Sequence, residues 1–110
     1  MKSPDLFTAQ STAKMTSERD FQTILEREMR SKGWWVYSIR RSDLAQATLA
    51  GYPDITAWRD DRLLFAELKT DKGRVSPAQV QVLESLKSLQ FAEVYVWRPA
   101  QIDEIMAILG

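Results

Sequence analysis

Phe65-Ala66-Glu67-Leu68-Lys69 is the segment of the chain best suited to chemistry. Side chains alternate across a strand, so Glu67 and Lys69 share one face while Leu68 points to the other. A carboxylate holds a hard cation through oxygen. An ammonium two residues away can orient a water or steady a phosphate oxygen. The Leu68 carbonyl is a further oxygen that a cation could use. The same Glu-x-Lys spacing also describes an ordinary surface ion pair. Upstream, Gly51-Tyr52-Pro53-Asp54 leads into a second strand-like run. Pro53 fixes the entering backbone and Gly51 permits a close approach. If the two strands pair as a hairpin, Asp54 and Glu67 converge at one end of it. Two converging carboxylates repel each other unless a cation lies between them. Mg²⁺ takes a few carboxylates, several waters and substrate phosphates, and such a set is the protein half of a phosphodiester-hydrolysis site. Asp54 could instead satisfy backbone N–H groups in a Pro-Asp turn.

Lys72-Gly73-Arg74-Val75-Ser76-Pro77-Ala78-Gln79 follows directly. Ser76 as N-cap and Pro77 at the first helical position open a helix whose positive dipole end faces the same strand mouth. Gln79, in the first turn, can close a capping box with Ser76 or reach a metal-bound water or a phosphate.

These residues need elements to hold them. Ser17 and Asp20 form a capping pattern, and Phe21, Ile24, Leu25 and Met29 recur at helical spacing until Gly33 ends the helix. Trp34 to Ile39 reads as a strand, and Arg40 to Gly51 as a loop with helical character between Leu44 and Leu49. Pro53 to Trp58 and Leu63 to Lys69 are strands about the turn Arg59-Asp60-Asp61-Arg62. A helix from Ser76 to about Leu89 precedes a strand from Glu93 to Trp97. Ile102, Ile105, Met106 and Leu109 mark a last amphipathic helix. The order α-β-β-β-α-β-α implies an α/β fold, a small mixed sheet flanked by helices. The short turn allows an antiparallel hairpin, and the intervening helix a parallel crossover. Residues 1–16 lack periodicity and read as a loose leader before one domain spanning 17–110.

Composition narrows the chemistry. With 110 residues and 45% apolar content, one globular domain is expected. There is no cysteine and no histidine, which removes disulfides, thiolate and zinc–histidine sites and every histidine base. Fifteen basic and fifteen acidic residues cancel, so overall charge makes no case for nucleic acid. Local charge is less even, since Arg27, Arg30, Lys32, Arg40 and Arg41 stand against Glu28 alone between residues 27 and 41. That bias suits a basic edge or an ordinary solvated surface. No apolar run reaches the length of a membrane helix and no signal peptide opens the chain, so a cytoplasmic protein with no membrane partner is expected.

Taken together, Gly51-Tyr52-Pro53-Asp54, twelve residues, Glu67-Leu68-Lys69, and Lys72 through Gln79 resemble the VRR-NUC branch of the PD-(D/E)XK nucleases. Members of that branch carry G-x-P-D, E-L-K and G-R-x-S-P-x-Q in this order. The resemblance runs from roughly Glu18 to the end of the chain. It implies a restriction-endonuclease-like αβββαβ core with a C-terminal helix, in a minimal nuclease of phage or bacterial type. It further implies that Mg²⁺ or Mn²⁺ binds Asp54, Glu67 and the Leu68 carbonyl, that Lys69 helps activate the attacking water, and that the family glutamine is Gln79. A further first-helix acid is usual. Glu18 is the choice, with Gln22 one turn later on the same face and Glu26 the runner-up. Tyr52 stands where small aliphatics are common, and can stack, touch a phosphate or pack. Compact stand-alone members resemble Holliday junction resolvases and act as homodimers. The resemblance therefore implies branched DNA as substrate, with Arg30, Arg40, Arg41, Tyr52, Lys72 and Arg74 as candidate nucleic-acid contacts. The rival readings are a catalytically silent DNA-binding or assembly module and a structural subunit of a larger complex.

Overall fold

The computed structural model describes residues 17–39 and 48–110. The leader expected at 1–16, Arg40, Arg41 and most of the loop that follows them lie outside the described residues. Helix α1 (Glu18–Ser31) starts where Ser17 Oγ accepts the Asp20 N–H at 3.1 Å. Its apolar positions Phe21, Ile24, Leu25 and Met29 are buried, as the periodicity requires. It ends in a Schellman motif. Gly33 adopts φ +90°, its N–H donates to Arg30 O, and Trp34 N–H donates to Met29 O.

Strands β1 (Trp35–Ser38), β2 (Ile55–Arg59), β3 (Arg62–Leu68) and β4 (Ala92–Trp97) form one sheet in the order β1-β2-β3-β4. The first two pairings are antiparallel and the third is parallel. The turn between β2 and β3 is two residues, with Asp60 at φ +56°. Helix α2 (Pro77–Lys87) supplies the crossover to β4, and a 3₁₀ turn (Pro99–Gln101) leads into helix α3 (Ile102–Leu109). The expected element order, αβββαβ plus a C-terminal helix with a mixed four-stranded sheet, is the observed one. Boundaries differ by one or two residues.

Register assigns the two sheet faces. Ile55, Ala57, Leu64, Ala66, Leu68 and Trp97 meet α1 and α3 in one core with Phe21, Leu25, Met29, Ile105 and Leu109. Trp34 ties the C-terminal helix into this layer. Its indole N–H donates to Leu109 O at 3.1 Å, and the Arg59 and Arg62 guanidinium groups lie 4.8 and 4.9 Å from its ring. The opposite face carries Asp54, Thr56, Phe65 and Glu67. Helix α2 covers its β3–β4 side, with Leu83 buried.

Candidate active site

The site forms at one end of that second face. Asp54 precedes β2, and its Oδ2 accepts the Leu68 N–H at 2.8 Å, so the hairpin register itself brings it beside Glu67. Glu18, at the start of α1, arrives from the other side of the sheet. One ligand oxygen from each of Glu18, Asp54 and Glu67 lies within 4.8 Å of the others. Glu67 is 1% exposed. Its Oε2 accepts from Gln79 Nε2 at 2.9 Å and lies 3.5 Å from Lys69 Nζ. Its Oε1 is buried and receives no hydrogen bond.

That arrangement is electrostatically unfavourable for the protein alone. Burial first, then the Asp54 charge, push Glu67 from its ordinary 4.5 up to about 8. Burial raises Asp54 as well, against the opposing Leu68 hydrogen bond. An oxygen-only donor set, a buried carboxylate oxygen with no donor and mutual repulsion together fit a hard divalent cation.

Gln79 does both things its position allows. Its Oε1 accepts the Ser76 N–H at 2.8 Å and Ser76 Oγ accepts the Gln79 N–H, which closes the capping box. Its amide nitrogen holds Glu67. The helix cap and the site therefore share one side chain. Gly51 makes this placement feasible. A Cβ there would lie 2.5 Å from the Ala78 carbonyl carbon and oxygen and 2.8 Å from Gln79 N, and the backbone is at φ +87°. The loop before Asp54 thus lies directly on the first turn of α2. Tyr52 packs edge-on against Phe65, and its hydroxyl is 2.8 Å from Thr56 Oγ1.

The other candidates separate. Gln22 is buried and donates to Ile39 O at 3.3 Å, next to the Ile39 N–H that donates to Asp54 O. Glu26 is buried further along α1 and lies 3.7 Å from Arg30. Lys72 and Arg74 are exposed on the segment between β3 and α2. Arg30 sits about 18 Å along the α1 axis from Glu18 at 1.5 Å per residue, so it does not join the cluster. One residue escaped the sequence reading. Arg98 Nη1 donates to Thr70 O at 2.6 Å and to Gly73 O at 2.7 Å, clamping the turn between Lys69 and α2. Asp71 Oδ1 accepts the Ala100 N–H on the same clamp. Nothing local in the sequence marks Arg98, because its partners are backbone carbonyls more than twenty residues away.

With this geometry in place, the likeness to solved structures is informative about fold. One, described as a VRR_NUC domain, superposes with a TM-score of 0.65 at 17% identity, covering 82% of this chain and 94% of that one. Another, a VRR_NUC domain protein, gives 0.59 at 21% identity, covering 86% and 90%. No protein-family model matches the sequence, and no curated protein matches it. The chain has the VRR_NUC domain fold with an acidic cluster at its sheet end. Among the described residues no helix is long and apolar enough to cross a membrane.

Proposed function

We propose that this protein is a Mg²⁺- or Mn²⁺-dependent DNA endonuclease acting on branched DNA such as four-way junctions, as a homodimer. The observation that carries the reading is the convergence of Glu18, Asp54 and Glu67, from three separate elements, beside the Lys69 ammonium. Asp54, Glu67, Glu18 and the Leu68 carbonyl would hold the cation, which would supply charge stabilisation for the scissile phosphate and a lowered pKa for a water. Lys69 orients the nucleophilic water and offers its charge to the developing oxyanion. Gln79 keeps the Glu67 carboxylate turned into the site. Lys72 and Arg74, exposed beside the site, contact phosphates, and Tyr52 braces the strand entering it. Two copies give two sites for two strands. The zero net charge favours instead a structural subunit of a larger complex, and a catalytically silent DNA-binding or assembly module with the same fold is the other alternative.

The test is cleavage of labelled linear duplex, single strand, flap and four-way junction in Mg²⁺, Mn²⁺ or EDTA. Metal-dependent cutting of the junction is expected, and Glu67→Ala and Lys69→Ala should abolish it while their circular dichroism stays unchanged. Full activity in either variant refutes the assignment. DNA binding without cutting in any metal selects the silent module.

A further inference from the structure

On the second sheet face, no described element covers β1 and β2. Trp35, Tyr37 and Trp58 are 70, 59 and 45% exposed there. They form one patch. Trp35 and Tyr37 are two apart on β1, and Trp35 lies directly across from Trp58 on β2. An aromatic side chain offers ~200 Å², so these exposures leave roughly 350 Å² of contiguous aromatic surface. That is a little under half of the ~800 Å² each partner buries in a standard stable interface.

The patch lies on an edge strand. Ile39 N–H donates to Asp54 O on the β2 side. Backbone groups alternate along an antiparallel strand, so residues 35, 37 and 39 turn theirs toward β2 while Val36 and Ser38 turn theirs outward. The Val36 carbonyl receives a long bond, 3.4 Å, from Arg30 Nη2 and keeps a second lone pair. An outward donor and acceptor on one residue make a self-complementary edge.

We infer that the outer edge of β1 pairs antiparallel with β1 of a second copy about a twofold axis at Val36, extending the sheet to eight strands. The register then follows. Val36 of each copy exchanges both backbone hydrogen bonds with its equivalent, Trp35 faces Tyr37 of the second copy, and Trp58 flanks each pair. Cross-strand aromatic pairs are among the most favourable on a sheet. Charge favours a protein partner over nucleic acid. Phosphate contacts need available cations, and the described cations around β1 and β2 are engaged: Arg30 with Glu26 and Val36 O, Arg59 with Lys32 O, Arg62 with Glu93. The zero net charge imposes no repulsion between copies. The inference takes the homodimer from the reading above and assigns its surface. It is independent of any cleavage.

Sedimentation equilibrium of the full chain at 5–100 μM, read with circular dichroism, tests it. The wild type should sediment as a dimer, and Trp35→Ser/Tyr37→Ser as a monomer with an unchanged spectrum. The chain has no cysteine, so a second measurement is clean. Trp35→Cys mixed with Tyr37→Cys should form a covalent dimer under mild oxidation, and Trp35→Cys alone should not. A dimer that persists in the double serine variant, or equal cross-linking by Trp35→Cys alone, overturns the surface and leaves the homodimer standing. A wild-type monomer overturns both. If that monomer's tryptophan emission is quenched by single-stranded DNA, and the quenching needs Trp35 and Tyr37, the patch is a base-stacking platform instead.

Discussion

Glu67→Gln in the metal-free protein should make folding stability less dependent on pH, and the size of the effect follows from the site. Glu67 ionises near 4.5 when exposed and at about 8 in the fold, because burial and Asp54 disfavour its charge. The sign is fixed by that direction. Below pH 4.5 both states hold the proton and no penalty exists. Between 4.5 and about 8 the unfolded chain releases it and the folded chain does not, so stability falls by about 1.4 kcal/mol per pH unit. The loss reaches about 3 kcal/mol by pH 7. Glutamine copies the protonated shape and cannot ionise. Its amide oxygen can still accept from Gln79, as Glu67 Oε2 does at 2.9 Å. Urea denaturation in EDTA at pH 5, 6, 7 and 8 should therefore show wild-type stability falling about 3 kcal/mol further than that of the variant. Added Mg²⁺ or Mn²⁺ should recover the loss in the wild type through binding linkage, and far less in Glu67→Gln. Parallel pH profiles in EDTA would mean that Glu67 is an ordinary carboxylate and that the argument from burial is wrong.

Metal affinity itself should rise with pH up to about 8, by up to about tenfold per unit, because binding must displace the Glu67 proton; calorimetry at pH 6, 7 and 8 measures the slope. Gly51→Ala forces a Cβ to 2.5 Å from the Ala78 carbonyl at φ +87°, so it should cost about 3 kcal/mol by thermal or urea melting and weaken metal binding by displacing Gln79. Arg98→Ala removes a charged donor from Thr70 O and Gly73 O and should cost about 2–3 kcal/mol. Arg98→Lys should recover part of that in the same urea experiment.

Much of this architecture was legible in the order of residues. Helix periods, the Ser17 and Ser76 caps, the Gly33 stop and the short Asp60-Asp61 turn are local features, set by backbone sterics and side chains a few residues apart. They fixed the αβββαβ order and the mixed sheet before any contact was known. Alternation also placed Glu67 and Lys69 on one face, and hairpin pairing brought Asp54 toward them. The tertiary structure decided what depends on distant segments meeting. Of the two α1 acids, Glu18 lies in the cluster with Asp54 and Glu67, while Glu26, two turns on, is buried beside Arg30; helical spacing alone puts both on one face. Gln79 caps α2 and holds the Glu67 carboxylate at once, because its amide has two ends and α2 lies over Glu67. Arg98 could not be read at all, since backbone carbonyls carry no sequence signal. The raised Glu67 is likewise a property of burial. The sequence supplies the carboxylate, and only the packed sheet removes the water that would have kept it an ordinary one.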